Sequence, residues 1–208
     1  NQVSLWLNGR RYSIVITCVL LSWAFWPLAI ILYPFAVWIH VSAVMFPALF
    51  LATSFWFLVP VGGITALLVG FNKFKEIANS RRSDYPQNSE MHRINWRKAI
   101  LYVKSIGYYV QHTIFPMKPS MYHEFLFDFN RYLGDMAKGY SLNFDFWKGS
   151  AILSYLVYEI AVNHNFWAFW FIVFISQYCN IWTTTMHAAD RYCSMAGVGL
   201  TILLAQKI

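Results

Sequence analysis

The pair Asp190-Arg191, followed by Tyr192 and preceded by His187, stands just before Met195 to Ala205, a run apolar enough to enter lipid. A guanidinium offers two parallel donors to phosphate oxygens, and a neighbouring carboxylate can fix its orientation. Arg191 is therefore a candidate ligand for a lipid phosphate, with Asp190 orienting it. Tyr192 can pack on the carrier's apolar chain or donate a hydrogen bond. His187 lies three residues before Asp190, so on a helical turn the two share a face, and the imidazole can join the phosphate site or move a proton. Lys118, just beyond Pro116, is a second candidate cation. The plainer reading makes Arg191 a helix anchor with its stem along apolar surface, His187 an imidazole bonded to water, and Lys118 an ordinary loop lysine.

Two other groups invite chemistry. His123, Glu124 and Asp128 cluster in YHEFLFDF, where imidazole and hard oxygens suit divalent ions. The spacing matches no established ligand pattern, so solvated loop charges are the expectation, with no metal site and no cofactor required. Glu159 lies inside the apolar run Gly149 to Val162. An unpaired carboxylate is costly there, and a hydrogen bond with Asn163 or His164 is the expected remedy. Cys18, Cys179 and Cys193 have no CxxC spacing and read as small apolar fillers.

The elements that must carry these residues follow from composition. The 208 residues are 58% hydrophobic, 20% aromatic and only 12% charged, against about 25% charged in an ordinary soluble domain. Several runs reach the roughly 20 apolar residues that cross about 30 Å of hydrocarbon. The expectation is an all-α polytopic transmembrane bundle of about six membrane segments. The net charge of +7 is then read as a topology signal and not as a nucleic-acid footprint.

Residues 1–71 are expected to hold the N-terminal membrane segments: a span from Ser13 to Tyr33 led by Arg10 and Arg11, then a longer run, Phe35 to Phe71, broken by Pro47, Pro60 and Gly62-Gly63. Residues 72–98 form a basic, turn-rich loop placed on the cytoplasmic side. A helix over 99–115 carries Lys104 and His112 on a polar face and ends at Phe115-Pro116. Residues 116–148 make an aromatic-rich exterior loop, and 149–208 the C-terminal membrane segments. The first residue is Asn1, which suggests a piece of a longer protein. The implied location is a multi-pass integral protein of the ER membrane or a bacterial inner membrane.

Taken together, YYVQHTIFPMK (Tyr108 to Lys118) and HAADRYCSMAGVG (His187 to Gly199) resemble motifs of the GT-C superfamily of polytopic glycosyltransferases, with the closest likeness to the TMTC-type protein O-mannosyltransferases. In that family a helix ends in an aromatic-apolar-Pro motif, and a later acid-Arg-Tyr followed by Gly opens the next span. Phe115-Pro116 and Asp190-Arg191-Tyr192 with Gly197 and Gly199 are similar, as is Tyr33 to Leu51 to the family's span with a late proline. The resemblance implies transfer of a sugar, with mannose as the first expectation, from a polyprenyl-phosphate donor to an acceptor such as protein Ser or Thr. It also implies a catalytic acid in an early exterior loop. Since no acidic residue occurs before Glu76, the catalytic residue is unknown and expected outside this chain. The implied partners are a lipid bilayer, the donor and other membrane subunits, with no nucleic acid. The alternative function is an inactive structural subunit of a larger membrane complex, and the third is a transporter, for which the broken helices speak.

Overall fold

The computed structural model describes residues 9–53, 58–69, 71, 97–115, 141–179 and 193–208, and its regular elements are helices only. The chain divides into two units, Asn1–Asn88 and Ser89–Ile208.

In the first unit, α1 (Gly9–Ala24) stops where Pro27 enters a short 3₁₀ turn, Trp26–Leu28, because proline has no backbone N–H to continue the ladder. Helix α2 (Ala29–Ile39) runs through Pro34, a longer 3₁₀ stretch covers Val41–Ala52, and α3 spans 58–69. The core is aromatic. Tyr33 and Phe46 lie 5.4 Å apart, as do Phe46 and Phe50, and the Tyr33 hydroxyl donates to the Gly62 carbonyl at 3.4 Å. A side chain at Gly62 would sit 2.6 Å from Pro47 Cγ, so the glycine lets α3 close on the 3₁₀ stretch.

In the second unit, α4 (Arg97–Ile114) packs on α5 (Phe144–Ala161), and α6 (Phe166–Ser176) on α7 (Cys193–Ala205). Asparagines start two of these helices, since a side-chain oxygen there satisfies amides that have no carbonyl within the helix. Asn143 accepts from Phe146 N at 3.3 Å, and Asn165 from Trp167 N and Ala168 N at 3.0 and 3.3 Å. Gly107 and Gly149 bring α4 and α5 into backbone contact: a Cβ on Gly107 would lie 2.8 Å from Gly149 Cα. Trp170, Phe171, Phe174 and Leu203 fill the interior between α6 and α7, and the Trp170 indole donates to the Met195 carbonyl at 2.9 Å.

This architecture keeps the all-α expectation and corrects the rest of it. Among the described residues no helix is long and apolar enough to cross a membrane, which overturns the polytopic transmembrane bundle of about six segments and, with it, the multi-pass integral location. The physical cause is where the apolar runs break. The run Ser13 to Tyr33 is cut at Pro27, leaving helices of 16 and 11 residues, which at about 1.5 Å per residue span roughly 24 and 16 Å. The two 18-residue helices are long enough but charged: α4 carries Arg97, Lys98 and Lys104, and α5 carries Asp145, Lys148 and Glu159. Helix α5 also starts five residues before the apolar run read from Gly149, because Asn143 caps it there.

Candidate functional site

The residues first singled out, Arg191, His187, Tyr192, Asp190 and Lys118, lie outside the described residues, as do His123, Glu124 and Asp128. What the structure places is their immediate framework. Helix α7 opens at Cys193, directly after Tyr192, and α4 ends at Ile114, one residue before Phe115-Pro116. These two helix ends meet. The Cys193 thiol lies 4.0 Å from the Tyr109 carbonyl, and Thr113 Cγ2 is 3.5 Å from where a Cβ on Gly197 would stand. Gly199 is required by packing, since a Cβ there would fall 2.6 Å from the Trp167 carbonyl oxygen and 2.9 Å from Phe171 N.

Around this junction gather further groups, among them His112 and Lys104, expected from the sequence only as a polar helix face. Tyr108 and His112, one helical turn apart on α4, lie with ring centres 4.1 Å apart and planes tilted by 38°. Lys148 on the first turns of α5 reaches across to Gln111, donating to Oε1 at 2.9 Å, and pairs with Asp145 Oδ1 at 3.1 Å. Its ammonium also stands 6.0 Å from the Phe144 ring centre. Lys104, deeper on α4, is buried. Burial pushes its ammonium below the usual lysine range, and Asp145 acts in the opposite sense. The signal for Lys148 lay in FDFWKG, an i,i+3 acid–base pair, but it reads as a loop until Asn143 is recognised as a cap. The Tyr109 hydroxyl donates to the Tyr178 carbonyl at 3.5 Å and the Tyr102 and Ser176 hydroxyls bond at 2.9 Å, which ties the end of α6 to the same face of α4. Burial raises the Tyr102 hydroxyl, partly offset by that bond. Burial also pushes the Cys179 thiol well up, so it is held as a neutral apolar group.

A second polar group forms at the other end of α7. Lys207 Nζ donates to Glu159 Oε1 at 2.9 Å, and Asn165 Nδ2 to Gln206 Oε1 at 3.1 Å. Lys207 first, then Asn163, hold the Glu159 carboxyl below its usual range. Tyr155 acts in the same sense, and Oε2 makes no hydrogen bond. Glu159 has almost no exposed surface, and burial pushes its carboxyl up, but Lys207 and Asn163 outweigh that effect. The remedy for this carboxylate is therefore a lysine from the chain's last turn more than the Asn163 or His164 named from local sequence.

No family model, characterised protein or solved structure matches this chain. The chemistry of the site rests on its own residues. The junction offers one partly exposed ammonium, an imidazole, tyrosine hydroxyls and a thiol. Among the described residues the only carboxylates, Asp145 and Glu159, are both engaged with lysines, and no group of three metal-ligating side chains gathers there.

Proposed function

We propose that the chain is the donor-handling part of a glycosyltransferase that moves a sugar, mannose in the first instance, from a polyprenyl-phosphate carrier to an acceptor hydroxyl such as that of protein Ser or Thr. The observation that carries this reading is the meeting of the two motif-bearing helix ends. Tyr108 to Lys118 and His187 to Gly199 are far apart in sequence, yet Cys193 and Gly197 pack on Tyr109 and Thr113. Arg191 precedes Cys193 by two residues in the sequence. In this reading Arg191, with Lys118 or His187, stabilises the phosphate as negative charge develops on the leaving group. Asp190 orients the guanidinium and Tyr192 packs on the carrier. A carboxylate beyond the described residues takes the acceptor proton.

The test is transfer from polyprenyl-phosphate mannose to a Ser/Thr peptide by the full-length protein. Arg191→Ala is expected to lower the rate by about 10²-fold or more, the usual loss for one transition-state donor. Arg191→Lys recovers only part of it, because the charge stays and the fork is lost. Undiminished transfer by the alanine variant would remove the phosphate role.

A second reading, a non-catalytic subunit of a larger assembly, draws on the lysine-paired state of both described carboxylates. Donor binding without any transfer by the full-length protein selects it.

A further inference from the structure

Helices α6 and α7 lie antiparallel. Asn165, which starts α6, bonds Gln206 just past the end of α7 at 3.1 Å, and the Trp170 indole donates to the Met195 carbonyl at 2.9 Å. Tyr178 stands thirteen residues after Asn165, and Cys193 thirteen before Gln206. Equal rise along the two paths, about 1.5 Å per helical residue, therefore brings Cys193 level with Tyr178 and its neighbour Cys179. The chain stays wound up to that point, since Tyr178 N donates to the Ile175 carbonyl at 2.9 Å and Cys179 N to the Ser176 carbonyl at 3.2 Å.

One residue of α4 touches both places. The Tyr109 hydroxyl donates to the Tyr178 carbonyl at 3.5 Å, and Cys193 Sγ lies 4.0 Å from the Tyr109 carbonyl oxygen. The two sulfurs also feel each other: negative charge on Cys193 raises the Cys179 thiol beyond what burial alone does, an effect that falls off with distance and so belongs to near neighbours. Neither sulfur is in a disulfide, and they differ in access. Cys179 has no exposed surface, whereas Cys193 is partly exposed. An accessible thiol next to a second one is the arrangement of an attacking cysteine and the cysteine that resolves its adduct.

We propose that Cys193 and Cys179 are a redox-active pair that closes to a disulfide in reaction with a small-molecule disulfide such as oxidised glutathione. The chemistry is thiol–disulfide exchange. Cys193, as thiolate, attacks one glutathione sulfur; the glutathione S–S bond breaks, a Cys193–glutathione bond forms, and one glutathione leaves and takes up a proton. Cys179 then gives its proton to water and attacks the Cys193 sulfur, so that the Cys179–Cys193 bond forms and the second glutathione leaves, again taking up a proton. Two protein thiols are oxidised and one disulfide is reduced to two thiols. Because burial keeps Cys179 protonated, the second exchange is the slower. The bond ties α6 to α7 at the end opposite the Asn165–Gln206 and Glu159–Lys207 contacts, and it does not depend on the donor reading.

Incubation of the full chain with oxidised glutathione, followed by acid quenching, denaturation, alkylation of the remaining thiols, digestion and mass spectrometry, tests it. The wild type is expected to become lighter by two hydrogens and to yield peptides joined through Cys179 and Cys193, with Cys18, buried in the first unit, still alkylated. Cys179→Ala is expected to stop at an adduct of one glutathione on Cys193, and Cys193→Ser to form neither bond nor adduct. Both replacements are small, and circular dichroism verifies the fold; the wild-type readout needs no variant, so a variant that fails to fold leaves the test intact. A wild type that keeps glutathione on Cys193 while Cys179 is alkylated, that leaves both thiols unreacted, or that joins either of them to Cys18 overturns the inference. A folded Cys179→Ala protein that takes up no glutathione overturns it as well.

Discussion

Gly149→Ala is the sharpest perturbation of the second unit. A Cβ at this position would overlap the Val103 carbonyl oxygen and lie 2.8 Å from Val103 C. These are backbone atoms, so no side-chain rotation relieves the contact and the two helices must part. Overpacking of this kind costs about 1–3 kcal/mol, and the immobile partner places it near the top of that range. Alanine returns about 1 kcal/mol through its helix propensity, leaving a net loss of about 2 kcal/mol. For a domain of this size, about 3–4 °C per kcal/mol gives a fall in Tm of about 6–8 °C, read by far-UV circular dichroism. Gly63→Ala is the matched control. It sits within α3, a Cβ there meets nothing within 4 Å, and only the propensity gain of about 1 kcal/mol remains. A Gly149→Ala protein that melts at or above the parent temperature, or two variants shifted in the same direction, would refute the reasoning.

Glu159→Gln tests the corner where α5 and α7 end. The Glu159 carboxyl is depressed by Lys207, so its contribution is whole above the unfolded value, about 4.3, and lost as pH falls through the lower folded value. The parent Tm should therefore drop on acidification below about pH 4.3, while the glutamine variant shows a flatter acid limb; parallel limbs would rule the contribution out. Trp170→Ala removes a fully buried indole that also donates to Met195. It should cost about 3–5 kcal/mol, measured by denaturant unfolding, and a loss under about 1 kcal/mol would contradict the packing described. Asn165→Ala removes a cap for two amides and should cost about 1 kcal/mol, with faster amide exchange at Trp167 and Ala168 as the local signature.

How much of this was legible differs from helix to helix. The helix over 99–115 is close to the observed Arg97–Ile114, because Pro116 forbids continuation past Phe115 and its polar residues recur at helical spacing. The start of α6 at Phe166 was equally plain. The membrane assignment failed because mean hydropathy does not register where a helix stops: Pro27 divides the first run, and Asp145 and Lys148 join the helix that Gly149 was taken to open. Asn143 held that information, but an asparagine after an aromatic loop signals a cap only once the following residues are known to be helical. Lys148 was invisible as a site residue because its value lies in Gln111, on another helix. Nor could Lys207 be matched to Glu159 from the sequence, since a pairing across such a span is set by how α7 lies on its neighbours.

Helix α7 is pinned at both tips. Its first residue rests on Tyr109 and its final turn is latched through Gln206 and Lys207, while Gly199 presses its middle on Trp167. A rod held in this way has little torsional play, so a disturbance at one tip must be absorbed at the other. Whatever docks beside Cys193 should thus slow amide exchange near Asn165 and Gln206, at the opposite pole of the rod.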